Sequence, residues 1–172
     1  YWAAGTKVYR NTDLAGIPYN NDYYDPDTTN WELLSVAVGS ARITALDMSL
    51  AQPEALFYGT TAGRLYRVDS LHGTPVRTLL DSDEWPNTTY ISCIAPNDYD
   101  ASEWLLTFCN YGVRSVFLTT DSGTTWTSVS GNIEENPDGT GNGPAVYWAM
   151  IYPTWNGEGN RYFIGTSTGL YS

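Results

Sequence analysis

The chain has 172 residues and carries 8 Lys plus Arg against 19 Asp plus Glu, a formal charge of −11 that argues against a nucleic-acid partner. With 42% hydrophobic, 15% aromatic and only 16% charged residues it has enough apolar surface for a core, which excludes wholesale disorder. No stretch approaches the ~20 apolar residues of a membrane-spanning helix, so no membrane insertion is expected; no basic-then-apolar leader opens the chain at Tyr1, and a mature piece or excerpt is the expectation.

Fourteen Tyr, seven Trp, 16 Gly and nine Pro favour pleated strands joined by tight turns. The opening segment 1–13 (YWAAGTKVYRNTD) reads as two short strands about a turn. The stretch 20–27 gathers Asp22, Asp25 and Asp27 with two amides, Tyr23 and Tyr24. Oxygen ligands of this kind make it the weak candidate for Ca²⁺, but it lacks the Gly and distal Glu of an EF-hand, and the same residues are ordinary turn formers. Segment 31–38 (WELLSVAV) is the only helical candidate, and it suits a strand at least as well. Further strands are expected within 42–49, 56–69, 76–80, 90–96, 105–121, 125–130, 145–153 and 162–172. Cys93 and Cys109 fall in adjacent strands, and a hairpin turning near Ala101 would set them opposite each other. A bridge and a pair of buried apolar thiols both fit.

Four segments repeat one pattern: 1–13, 56–69 (LFYGTTAGRLYRVD), 105–121 (LLTFCNYGVRSVFLTTD) and 162–172 (YFIGTSTGLYS). The aromatic of their second strand, at Tyr9, Tyr66, Phe117 and Tyr171, recurs at intervals of 57, 51 and 54 residues. That period is the one expected of four-stranded propeller blades. The reading is an all-β propeller segment of about three to three and a half four-stranded antiparallel blades. A partial blade would occupy 1–40 (strands B, C and D), whole blades 41–88 and 89–143, and a second partial blade 144–172 (strands A, B and C). Closed propellers generally take ~4 to 8 blades, so missing blades of the same propeller are the expected partners of the first and last.

The most specific local signal is Thr119-Thr120-Asp121-Ser122-Gly123-Thr124-Thr125-Trp126. It resembles the Asp-box, or BNR repeat, with Thr119, Asp121, Gly123, Thr125 and Trp126 as the structural residues. The resemblance implies a turn between the third and fourth strands of a blade, in which the Asp accepts backbone N–H groups, the Gly takes a positive φ and the Trp packs into the blade. Worn copies stand at Asp13, with Gly16, and at Asp69, with Gly73. Over nearly the whole chain the sequence is similar to the Asp-box propellers of the sortilin (VPS10), xyloglucanase-like and WD40/YVTN/BNR-like group. Residues 110–148 and the ending 165–172 are similar to the C-terminal blades of large secreted Bacteroidota proteins, many of which continue into a type IX secretion sorting domain. The resemblance implies a secreted or cell-surface location, with protein or glycan ligands and outer-membrane secretion or surface components as partners.

A sialidase would require an Arg triad and an Arg-Ile-Pro motif, and Arg42-Ile43-Thr44 lacks the Pro. A glycoside hydrolase needs two carboxylates about 5 to 9.5 Å apart across a groove. Asp47, on an inner strand, and Asp98 and Asp100, in an inter-strand loop, are the catalytic candidates. Trp85, Tyr99 and Trp155 fall in expected loops, where flat rings can stack on sugars or peptides. His72 is the only histidine, which disfavours His-based catalysis and His-rich metal sites, and no cofactor is expected. The acidic, Gly-rich loop 131–143 has the wrong charge for a phosphate cradle and reads as a solvated connection between blades. The expectation is a non-catalytic extracellular scaffold or recognition module within a larger protein. A xyloglucanase-like glycoside hydrolase is the first alternative, and a cargo or subunit of a type IX secretion or surface assembly the second.

Overall fold

A computed structural model describes residues 2–16, 31–80, 82–154 and 158–172, and among them there is no α-helix. Runs of aromatic and aliphatic residues, broken by turns rich in Gly, Asn and Asp, form four antiparallel meanders. The first sheet holds β1 (Trp2–Ala4), β2 (Lys7–Arg10) and β3 (Glu32–Ser35). The second holds β4 (Ile43–Ser49), β5 (Gln52–Thr60), β6 (Leu65–Asp69) and β7 (Val76–Leu80). The third holds β8 (Ile91–Pro96), β9 (Trp104–Phe108), β10 (Val116–Thr119) and β11 (Thr127–Ser128). The fourth holds β12 (Val146–Pro153), β13 (Asn160–Thr166) and β14 (Gly169–Tyr171). The segment with helical potential is thus the strand β3, held by pairing of Tyr9 with Leu33 and of Val8 with Ser35.

The sheets stack face to face in chain order. Val8 and Leu34 of the first meet Leu56, Tyr58 and Val68 of the second. Phe57 and Leu65 of the second meet Ile94, Trp104, Leu106 and Phe117 of the third. Leu105 and Val116 of the third meet Val146, Ala149 and Ile164 of the fourth. Trp85 corrects its expected place among the surface rings. Only 2% exposed, it closes the seam between the second and third sheets, edge-on to Trp126 at 5.0 Å and tilted on Phe108 at 6.4 Å. The connection from β7 to β8 crosses that seam, and a large ring there removes more apolar surface from water than it would in solvent. Among the described residues its indole N–H has no hydrogen-bond partner.

The first strands of successive sheets, β4, β8 and β12, lie side by side. Each carries an irregularity of register at the same place, between Ile43 and Ala45, Ile91 and Cys93, and Val146 and Trp148. In the first two the residue inside it reaches the next sheet: Thr44 Oγ1 donates to the Ile91 carbonyl at 2.6 Å, and Ser92 Oγ to the Val146 carbonyl at 2.8 Å. Close approach is possible because Gly59 has no side chain; a Cβ there would lie 2.3 Å from Ile91 Cγ2.

The expected opposition of Cys93 and Cys109 is corrected too. Cys93 pairs with Thr107, while Cys109 lies beyond β9 with its amide on the Tyr90 carbonyl at 3.2 Å. The register irregularity in β8 and an earlier hairpin bend separate the two residues, and both thiols are free and partly buried. Burial raises the pKa of each.

Gly59→Val should overpack the seam and destabilise the fold by about 1–3 kcal/mol, read as a lower urea midpoint with unchanged slope. Adding Ile91→Ala to that variant should restore part of the loss, whereas independent sites would add.

Candidate functional site

The polar side chains concentrate on the loop 97–103 between β8 and β9. From the second sheet, Ser49 Oγ donates to the Asn97 carbonyl at 2.5 Å, the Leu50 amide to Asp98 Oδ1 at 2.9 Å, and Gln52 Nε2 to the Ala101 carbonyl at 2.5 Å. The fourth sheet reaches the same loop at Glu103, which is 6% exposed. Glu103 Oε1 accepts from the Tyr162 hydroxyl at 2.5 Å, and Oε2 accepts from Asn97 Nδ2 at 2.5 Å and from Asn160 Nδ2. Burial, and then the Glu103 carboxylate, push the Tyr162 hydroxyl above the ordinary tyrosine range. Among the described residues three donors and no salt bridge hold this carboxylate, with both oxygens occupied, an arrangement suited to joining two sheets. Sequence reasoning missed Glu103 because its partners Asn160 and Tyr162 lie 57 and 59 residues away.

The three catalytic candidates are spread between β4 and this loop. Asp47 stands on the inner strand β4, where Oδ1 accepts the amide of Met48 at 2.8 Å. Desolvation chiefly, and the negative charge of Asp98 in lesser part, raise its pKa, while the Met48 amide opposes them. Asp98 is the acceptor for Leu50 described above. Asp100 accepts the Ser102 hydroxyl at 2.6 Å and amide at 2.8 Å, and those bonds lower its pKa. Among the described residues no group of three His, Cys, Asp or Glu could hold a metal ion.

Residues 119–126 close the turn from β10 to β11. Asp121 Oδ1 accepts the Thr119 hydroxyl at 2.8 Å and the Thr125 amide at 2.8 Å, and Oδ2 accepts the Thr125 hydroxyl at 2.6 Å. Thr119 Oγ1 in turn accepts the Gly123 amide at 3.0 Å. Gly123 has φ +84, and a Cβ on it would meet Trp104 Cζ3 at 2.7 Å. Trp126, 4% exposed, donates its indole N–H to the Gly123 carbonyl at 3.2 Å and packs on Trp85 and Trp104. The Thr125 and Thr119 bonds hold the Asp121 carboxyl down at about 2.

Asp13 accepts the Gly16 amide at 2.9 Å, a partial version of that turn, whereas Asp69 is paired with Arg67 at 2.7 Å. Tyr99 is 60% exposed on the rim. Trp155, Asp22, Asp25, Asp27, Tyr23 and Tyr24 lie outside the described residues. The loop 131–143 is mostly exposed, but Glu134 turns inward and Oε1 accepts the Ser115 amide at 2.9 Å. An open cleft of about 550 Å³ runs between the third and fourth sheets past Val129, Asn132, Arg161, Tyr162 and Tyr171.

No family profile matches the chain, and no curated protein matches it. Among solved structures it is similar to YCF48 from Cyanidioschyzon merolae, a β-propeller, with a TM-score of 0.55 and 17% identity over 81% of this chain. The chain spans 39% of that structure's length. At this identity the likeness shows the fold: the four sheets are a β-propeller segment.

Asp121→Ala should lower the melting temperature at neutral pH. Because the folded pKa is depressed, the carboxylate's contribution is fully present above about 3.8 and is lost as pH falls through about 2. Wild type and variant should therefore converge in thermal melts across that acidic window and stay parallel above it. Glu103→Ala leaves the buried Asn97 amide and the half-buried Asn160 and Tyr162 donors without their acceptor and should cost about 1–3 kcal/mol in denaturant unfolding.

Proposed function

We propose that this chain is part of an Asp-box propeller that serves as a non-catalytic scaffold or recognition module in a secreted or cell-surface protein. The observation that carries the reading is the employment of its acids: Asp98, Asp100, Glu103 and Asp121 are each committed to holding a turn or joining two sheets. The hydrogen bonds of Asp121, the positive φ of Gly123 and the buried Trp126 support the family reading, because they are the roles that the sequence motif assigns to those residues. A frame braced in this way leaves recognition to exposed loop residues such as Tyr99, which would contact a protein or glycan ligand.

A second reading, a xyloglucanase-like glycoside hydrolase, rests on Asp47: on the inner strand β4 its pKa is raised, by burial chiefly and by the charge of Asp98 in lesser part, the direction a general acid needs.

Release of reducing ends from xyloglucan and other β-glucans by the natural polypeptide decides between the two. The scaffold reading expects no turnover above background, and identical traces from wild type, Asp47→Asn and Asp98→Asn. Turnover that both substitutions abolish, with the fold intact by circular dichroism, would establish the hydrolase instead.

A further inference from the structure

The three strands of the fourth sheet repeat the first three of the second, and the pairing register fixes the equivalences. Gly59 stands between Ala45 and Leu65, as Gly165 stands between Trp148 and Leu170. Phe57 and Phe163 lie two residues before those glycines, on the same face of their sheets. In the second sheet this face is closed. Phe57 and Leu65 are fully buried, and Ile91 of the next sheet sits where a Gly59 side chain would be. In the fourth sheet the matching face is open, with Trp148 47%, Tyr152 49% and Leu170 67% exposed.

Two substitutions within the repeat distinguish the open face. The small residues Ala45 and Cys93, at the far side of each register irregularity, become Trp148. Its Cβ and Cε3 stand 3.6 and 3.8 Å from where a Gly165 Cβ would lie, so the indole covers the hollow that Ile91 fills at Gly59. The short hydroxyls of Thr44 and Ser92, which reach the neighbouring carbonyl, become the exposed Tyr147.

We propose that this face docks a further propeller-type sheet through the reverse of the internal arrangement. Trp148 is the knob, and the first strand of the incoming sheet presents Gly, Ala or Ser where the third and fourth sheets present Ile91 and Val146. The inference rests on the propeller-array reading above. Continuity with the internal seams argues for a sheet as the occupant: the exposed Trp148 and Leu170, with the half-buried Met150 and Phe163, occupy the side opposite Ala149 and Ile164, which already close on the third sheet. A contiguous apolar face of this kind is rarely left to solvent. Arg161 supplies the face's charge, and a sugar platform would need more polar groups around its rings.

Hydroxyl-radical footprinting of the natural polypeptide tests this, with Trp104 as the buried reference ring and Tyr99 as the exposed one. We expect Trp148 to label as slowly as Trp104 at every protein concentration, and Trp148→Ala to lower the unfolding midpoint. Labelling of Trp148 at the rate of an exposed ring would overturn the proposal. Protection lost on dilution would overturn it in favour of a second copy of the chain, and protection gained only with added oligosaccharide in favour of a glycan. The rescue of Gly59→Val by Ile91→Ala keeps the two levels apart. If that rescue holds while Trp148 labels freely, the array stands and this docking falls; if Gly59 and Ile91 do not couple, the array reading falls first.

Discussion

Leu56 and Phe57 are neighbours on β5, their side chains point to opposite faces of the sheet, and neither is exposed at all. The same holds along the whole of β9, where all five residues from Trp104 to Phe108 are buried. A sheet that is apolar on both faces has no stable life alone, because burying one face leaves the other in water. Stacking is therefore the constraint from which the remaining features follow. The hollow at Gly59 lets Ile91 come in, the side chains of Thr44 and Ser92 tie adjacent inner strands at their register irregularities, and Trp85 covers the seam that the connecting chain crosses. Truncating one of the rings between the second and third sheets would cost about 3–5 kcal/mol, more than any single polar contact at their rims.

Polar chemistry works within that frame. The loop 97–103 takes donors from the sheet before it and, through Glu103, from the sheet after it, so one short segment locks three sheets in register. Burying a carboxylate without a cation is costly, and three hydrogen bonds to the two oxygens are what make the site tenable. The same logic employs other carboxylates of this acidic chain: the lone pairs of Asp98, Asp100 and Asp121 satisfy backbone amides in the turns, where the ladder stops.

Legibility in the sequence followed the range of each interaction. The strands, their antiparallel order and the spacing of the repeat depend on alternation and turn residues a few positions apart, and these were readable. The side-chain hydrogen bonds within the turn at 119–126 span four residues or fewer, the range at which a motif can be read, while its Ser122 amide reaches the distant Ser102 carbonyl at 2.9 Å. Trp85 was misjudged because a ring in a Pro- and Asn-bearing connection looks exposed until the seam beneath it is known. The cysteine pairing turns on where the hairpin bends: Pro96 pairs with Trp104 and Cys93 with Thr107, which centres the bend one residue before Ala101, and the alternation of the strands does not mark that position. Glu103 was invisible for the same reason of range: beside the nearby Asn97, two of its three side-chain partners, Asn160 and Tyr162, come from the next sheet.

The two complete sheets reach the same turn by different means, and the difference shows which part of the motif is indispensable. Both turns place a serine with positive φ directly after an aspartate, Ser70 at 58° and Ser122 at 61°. At Ser122 the bend is locked by the carboxylate of Asp121, and its apolar cover is Trp126. At Ser70 the carboxylate of Asp69 has turned away to Arg67, and the bend is held by the Gly73 amide on the Ser70 carbonyl at 2.9 Å. Its apolar cover is Leu71, fully buried in the seam with the first sheet. A polar lock and a hydrophobic plug thus support one backbone path. The path itself is imposed by the need of the third strand to return to the edge of its sheet, so the aspartate strengthens a bend that the stacking already requires.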